Sequence, residues 1–194
     1  ASIKNNQGYA VKYADLVTHS YHPVKNITTG EGGSVLTNNG KLSDKIIKLR
    51  NHGISRNKIV QSSGSWLYEV KNFGFNFRLS DIHSALGISQ LKKLDKFIIN
   101  RNKIAKHYNL NFNGLPFLNV PKVKTGFTHA FHLYPLLIDF KKLNVKKNLF
   151  FDKMKRSGIN LQVHYIPVYH QNFLKKYRFN KKLFPIMEVY YSKQ

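Results

Sequence analysis

A lysine set between a proline and a run of threonines and glycines, as in Ser20-Tyr-His-Pro-Val-Lys25-Asn-Ile-Thr-Thr-Gly-Glu-Gly-Gly33, has the surroundings of a nucleophile. Pro23 fixes its own φ and lacks an N–H, which stiffens the approach to Lys25. The glycines beyond it permit backbone conformations closed to other residues, so the loop can turn back sharply. A lysine amine attacks a carbonyl only when deprotonated, a form favoured by burial or by a nearby cation, and the product is a Schiff base. Lysine and arginine together number 32, and an ordinary lysine is a solvated surface charge. The loop around Lys25 is what sets it apart from the others.

The flanking sequence reads as a rigid support for that loop. Residues 14–20 suit a strand delivering Ser20 to the loop, and residues 34–37 suit a second strand leaving it. Asn38-Asn-Gly-Lys41 is a turn signal, and residues 41–50, with Leu42, Ile46 and Leu49 at helical spacing, predict an amphipathic helix ended at Gly53. Residues 55–65 read as a polar surface loop. Ser80 is an expected N-cap, with Asp81 in the first turn complementing the helix dipole.

Farther along, Ile82, Ala85, Leu86, Leu94, Phe97, Ile98, Arg101, Ala105 and Tyr108 recur at i, i+3, i+4 spacing. This predicts two helices or one bent helix, its stripe buried in the core. Pro116, Pro121 and the glycines at 114 and 126 break the pattern. Residues 131–138 then read as a buried strand, 148–156 as a helix and 160–166 as another strand. Strands alternating with helices indicate an α/β architecture. The expected division is residues 1–110 as one domain and 111–194 as a second, smaller one.

Composition narrows the function classes. The chain is 42% hydrophobic with 14 Phe and 11 Tyr, enough for a packed core and far from a disordered composition. It has no cysteine, which excludes disulfides and thiol or thiolate-metal chemistry, and no metal site is expected. No apolar run is long enough to span a bilayer. A cytoplasmic location is expected. The formal charge of +23 attracts polyanions, but the basic residues are scattered from Lys4 to Lys193 with no continuous arm, no zinc-finger spacing and no RNP-like strand. No specific nucleic-acid binding is therefore expected; a diphosphate-bearing substrate would benefit from the same charge.

The lysine loop, together with Asn72-Phe-Gly-Phe-Asn-Phe-Arg-Leu-Ser-Asp-Ile82 and Gln162-Val-His-Tyr-Ile-Pro-Val-Tyr169 in that order, resembles the DegT/DnrJ/EryC1/StrS sugar aminotransferases. The resemblance covers essentially the whole chain but only part of the family's length. It implies an α/β fold, the C-terminal part of a fold-type I pyridoxal-phosphate-dependent aminotransferase: the mixed sheet of the large domain plus part of a smaller α/β domain. The implied cofactor is pyridoxal 5'-phosphate, an electron sink for a carbon bearing an amino group.

By motif match, Lys25 is the catalytic lysine that holds the cofactor covalently, Ser20 contacts its phosphate, and Asn76 reaches the cofactor phosphate of a neighbouring subunit. A homodimer with shared active sites is thereby implied. His22, Arg78, His164 and Tyr165 are candidate substrate-binding residues, with His22 and Thr29 also suited to holding the loop and Arg78 suited to pairing with Asp81 or an anion. The implied reaction moves an amino group, with glutamate as donor, to a 4-keto-6-deoxy nucleotide-sugar, a UDP-linked N-acetylated hexose being favoured, for surface-glycan synthesis. The family's cofactor-contacting aspartate would precede Ala1, so the chain is expected to be an internal portion of a longer enzyme, inactive by itself. An inactive relative serving as a subunit and a basic nucleic-acid-binding module are the alternative classes.

Overall fold

The computed structural model describes residues 3–5, 8–9, 13–55, 62, 64–177 and 179–194. The strands are β1 (Ile3–Asn5), β2 (Gly8–Tyr9), β3 (Val17–Ser20), β4 (Gly33–Leu36), β5 (Ile54–Ser55), β6 (Glu69–Val70), β7 (Leu118–Asn119), β8 (Thr128–His129) and β9 (Leu137–Ile138). The helices are α1 (Gly40–Arg50), α2 (Asp81–Leu91), α3 (Leu94–Phe112), α4 (Lys147–Arg156) and α5 (Pro185–Lys193), so strand and helix are mixed. None of the described helices is long and apolar enough to cross a membrane.

The chain divides into two compact units. The first comprises residues 1–102 and 124–132, and the second residues 103–123 and 133–194. The position 110/111 lies inside α3, a continuous helix through Phe112.

In the first unit, β3 and β4 pair antiparallel from Val17↔Leu36 to Ser20↔Gly33, which brings the two ends of the lysine loop together. A second antiparallel sheet has the order β2-β1-β8, and β5 pairs with β6. Local chemistry accounts for the helix ends. The Asn39 side chain accepts from the Lys41 and Leu42 N–H groups to start α1, and Lys48 and Arg50 lie in its last turn, where cations suit the dipole. Beyond it Gly53 has φ +70°, and a Cβ there would lie 1.7 Å from the Asn72 carbonyl oxygen, so only glycine fits this crossing. Ser80 caps α2 by accepting from the His83 N–H, with Asp81 in the first turn, as expected.

The second unit pairs β7 with β9 antiparallel and adds α4, three short 3-10 turns and α5, with Pro185 in the first turn of α5, where its missing N–H costs nothing. Lys193 of α5 approaches Asp139 at 3.6 Å.

Three expectations are corrected. The stripe from Ile82 to Tyr108 is not a continuous core: Ile82 is 83% exposed, Ala85, Leu86 and Tyr108 are exposed, and of the stripe only Ala105 is buried. Periodicity identifies an apolar face but not what covers it. The strand expected over 131–138 is reduced to Leu137–Ile138; at its start the Phe131 and His132 carbonyls are taken by the Arg101 side chain instead of a neighbouring strand. Residues 160–166 form no strand, having no ladder partner among the described residues. The loop expected over 55–65 falls largely outside the described residues.

Candidate functional site

The loop between β3 and β4 is fastened at almost every turn. The Tyr21 N–H donates to Gly32 O at 2.9 Å, Lys25 N–H to His22 O at 2.9 Å and Thr29 N–H to Tyr21 O at 3.0 Å. Hydroxyls complete the set: Thr28 Oγ1 donates to Tyr21 O, Thr29 Oγ1 donates to Glu31 O, and the Tyr21 and Ser34 hydroxyls meet at 2.7 Å. Thr29 is 2% exposed and serves as the internal post of the loop. At Gly32, φ +155°, a Cβ would come within 2.4 Å of Thr29 Oγ1, so the motif's glycine is required by packing.

Lys25 is half-buried, and its Nζ lies 3.3 Å from Nε2 of His132. His132 comes from the segment after β8, which is clamped through four successive carbonyls. Asn102 Nδ2 donates to His129 O at 3.0 Å, Asn26 Nδ2 to Ala130 O at 2.7 Å, and Arg101 to Phe131 O at 3.0 Å and His132 O at 3.3 Å. Within it Phe131 adopts φ +41°, a strained conformation for a bulky side chain, and its N–H donates to His129 Nδ1 at 2.9 Å. Burial first, and then the Lys25 and Arg101 cations, hold the His132 imidazole below its ordinary value, and burial does the same for His129. Both rings are therefore favoured in the neutral form. His132 was not legible in the sequence, since no local pattern joins it to a lysine 107 positions away.

The other candidates fall into three places. Ser20, at the end of β3, accepts weakly from the His22 N–H at 3.4 Å and keeps its own proton to donate. His22 faces Glu31 at 3.8 Å while its Nδ1 accepts from the Val24 N–H. Asn76 and Arg78 lie on an extended segment: Asn76 bridges to Asn51, and Arg78 donates to Asn51 Oδ1 at 2.7 Å. Among the described residues Arg78 thus pairs with Asn51 and not with Asp81. The rings of Phe73, Phe75 and Phe77 contact one another in sequence, so alternation sets Asn76 on the face away from them, its amide without a hydrogen bond among the described residues. His164 and Tyr165 belong to the second unit, not to the unit of Lys25.

The second unit has its own polar cluster. Glu188 accepts from Tyr169 at 2.9 Å and pairs with His170 at 2.7 Å, and these bonds, His170's foremost, hold its carboxyl below the ordinary range. Lys147 donates to Tyr191 O at 3.0 Å and sits over the Tyr191 ring, and burial lowers its pKa.

The lysine loop carries donors that suit a phosphorylated aldehyde: the Lys25 amine for the carbonyl, and the uncommitted Ser20 hydroxyl for an anionic oxygen.

Comparison with known proteins bears on that chemistry. The sequence profile described as "DegT/DnrJ/EryC1/StrS aminotransferase family" matches residues 4–194. A Campylobacter jejuni protein named UDP-4-amino-4,6-dideoxy-N-acetyl-beta-L-altrosamine transaminase is 42% identical over 165 residues, 85% of this chain and 42% of that protein. Among solved structures, Helicobacter pylori PseC, an aminotransferase involved in pseudoaminic acid biosynthesis, superposes with a TM-score of 0.79 at 34% identity, covering 93% of this chain and 47% of that one. The PLP-form of the putative sugar aminotransferase Spr1654 from Streptococcus pneumoniae shares the fold, with a TM-score of 0.84 at 23% identity over 98% of this chain and 48% of that one. The chain spans about half the length of the relatives it matches.

Proposed function

The chain belongs to the DegT/DnrJ/EryC1/StrS aminotransferase family, and on that premise we propose that it is part of a pyridoxal-phosphate-dependent nucleotide-sugar aminotransferase, with Lys25 as its catalytic lysine. The observation that carries the reading is the immobilised, half-buried Lys25, held on a loop stapled between two paired strands and facing an imidazole nitrogen at 3.3 Å. A flexible surface lysine has no such setting.

When bound, pyridoxal phosphate supplies the electron sink that lets an amino group leave one carbon and join another. The chain's own residues hold it and manage protons. Lys25 Nζ is the covalent anchor and the base that moves a proton between adjacent carbons. Ser20 donates its hydroxyl proton to the phosphate, and Asn76 offers its amide to the phosphate in a partner copy, which makes the working unit a homodimer. The Pro23 and Thr29 supports keep the Lys25 backbone in place, so its side chain alone has to move between tasks.

The substrate we assign is a 4-keto-6-deoxy nucleotide-sugar, a UDP-linked N-acetylated hexose, with glutamate as amino donor and surface glycan as the destination. This rests on the names and titles of the relatives, and a net charge of +23 suits a diphosphate. His22, Arg78, His164 and Tyr165 are the side chains assigned to the sugar nucleotide. A cytoplasmic site of action accords with such a substrate.

The test uses the full-length protein, pyridoxal phosphate, glutamate and a panel of 4-keto nucleotide-sugars. Borohydride fixes the cofactor's mass on the peptide containing Lys25, and an amino sugar appears by mass spectrometry. A panel left wholly unconverted overturns the substrate; absence of the cofactor's mass from Lys25 overturns the mechanism.

A further inference from the structure

We propose that His132 is the proton partner of Lys25: its Nε2 lone pair takes a proton from the lysine ammonium and returns it. The inference rests on the reading of Lys25 as the catalytic lysine and adds the group that works with it.

Four observations on the first unit lead there. First, the contact is direct, Nζ to Nε2 at 3.3 Å, and both side chains are half-buried. Lysine has only donors on its ammonium, so the shared bond requires a lone pair on Nε2, which places the imidazole proton on Nδ1. Second, Nδ1 is buried toward the Val24 backbone, one residue before Lys25, without closing a hydrogen bond of ordinary geometry. The ring is thus wedged between the backbone and the side chain of one loop, and rotating it would lose both neighbours.

Third, the segment carrying His132 is held far more tightly than a connection between units requires. Four consecutive carbonyls, from His129 to His132, each receive a side-chain donor from Asn102, Asn26 or Arg101. Asn26 follows Lys25 directly, so the lysine loop grips the same segment that presents the histidine. Fourth, the grip stabilises Phe131 at φ +41°, a conformation that costs free energy and persists only where the surroundings over-determine it. Such strain is spent on aiming a neighbour, and the neighbour here is His132.

The charged and titratable groups facing His132 are Lys25 and Arg101, with His129 one turn back in the same segment. All of the strong charges are cations. Burial and those cations favour the neutral ring, the form with a lone pair to offer. In the transfer an N–H bond of the Lys25 ammonium breaks, its electron pair stays on Nζ as the amine lone pair, and the proton forms a new bond to Nε2. The ring becomes imidazolium with protons on both nitrogens. The reverse step restores the ammonium, so no further acid, base or oxidant is needed. Arg101 acts through His132 and is a positioning residue.

Three forms of the full-length protein test this: wild type, His132→Gln and His132→Ala. Glutamine keeps an acceptor for Lys25 and the bulk of the ring but takes no proton. In cofactor-free protein, limiting acetic anhydride labels lysines according to their free amine, and peptide mass spectrometry compares Lys25 with Lys41 in the same sample. Labelling of Lys25 relative to Lys41 reports whether the setting of the amine is intact and stays within about threefold of wild type in His132→Gln, while kcat falls about a hundredfold with KM for both substrates within about threefold. Added imidazole restores His132→Ala by at least about tenfold, which a structural role would not allow.

A kcat of His132→Gln within about threefold of wild type overturns the assignment. A loss in His132→Ala that imidazole leaves untouched, and that glutamine repairs, overturns it in favour of a structural role. Where borohydride fixes no cofactor on Lys25 even in wild type, the functional reading itself falls; where it fixes cofactor normally in wild type and in an undiminished His132→Gln, only the role of His132 falls.

Discussion

Each unit of the molecule holds a partly buried lysine, and the two differ in what they face. Lys25 in the first unit meets an imidazole nitrogen at 3.3 Å, whereas Lys147 in the second donates to the Tyr191 carbonyl at 3.0 Å and lies over the Tyr191 ring. Burial lowers the pKa of Lys147. A carbonyl oxygen and an aromatic face both hold an ammonium ion, but neither takes a proton from it at neutral pH. A neutral imidazole holds it through a nitrogen lone pair, a position that can also carry a proton in transit. Burial affects which protonation state is favoured; the partner decides whether a proton has anywhere to go.

The histidines repeat the contrast. His132 stands among cations and is favoured neutral, while His170 sits against the Glu188 carboxylate at 2.7 Å and ties α5 to the turn at Val168–His170. One arrangement presents a lone pair to an ammonium, and the other commits an N–H to a carboxylate in holding structure.

The largest expected effect separates the two lysines outright. In the full-length enzyme Lys25→Ala lowers amino transfer by about ten-thousandfold, while Lys147→Met leaves turnover within about twofold and costs about 1 kcal/mol of stability for one lost hydrogen bond. Comparable losses of turnover in both variants would break the comparison. Next comes the architecture under the first unit. Gly53→Ala forces a Cβ into the Asn72 carbonyl at positive φ, and it costs about 3 kcal/mol by chemical denaturation; full wild-type stability would contradict the crossing described here.

Acid sharpens the contrast between units. His129 and His132 have folded pKa values below the ordinary 6.5, so the unfolded chain binds more protons, and their contribution, complete above 6.5, is lost as pH falls below it. Glu188 and Asp139 have lowered values relative to 4.5 and 3.8, so the stability they give the second unit persists until pH falls below those figures. Hydrogen exchange at about pH 5 therefore shows weakened protection over residues 17–36 and 128–132 with residues 137–156 unchanged; the opposite order would overturn the electrostatic account. The smallest effect is Asn39→Ala, which removes the α1 cap and costs about 1 kcal/mol, with no change at Lys25 as read by acetic anhydride labelling.

Much of the first unit could be read along the chain. The turn at residues 38–41, the cap at Ser80 and the paired strands around the lysine loop each depend on neighbours a few residues apart, or on a hairpin closed by one loop. Lys25 stood out for the same reason, because its supports are local. The stripe from Ile82 to Tyr108 marked helices correctly but not their burial, since periodicity records which face is apolar and not whether anything lies against it. Residues 131–138 and 160–166 have the composition of strands, but strand formation requires a partner, and partners are not encoded locally.

The sequence by itself determined the helices that follow Asn39, Ser80 and Lys146, the cap at Ser80 and the sharp loop around Lys25, because each follows from steric and hydrogen-bonding rules acting over a few positions. The tertiary structure alone decided that His132 meets Lys25, that Arg101 and two asparagines pin the segment between them, and that Arg78 turns to Asn51. Those contacts join residues up to 107 positions apart, and the free energy that selects them comes from the packing of whole elements, which no local pattern contains.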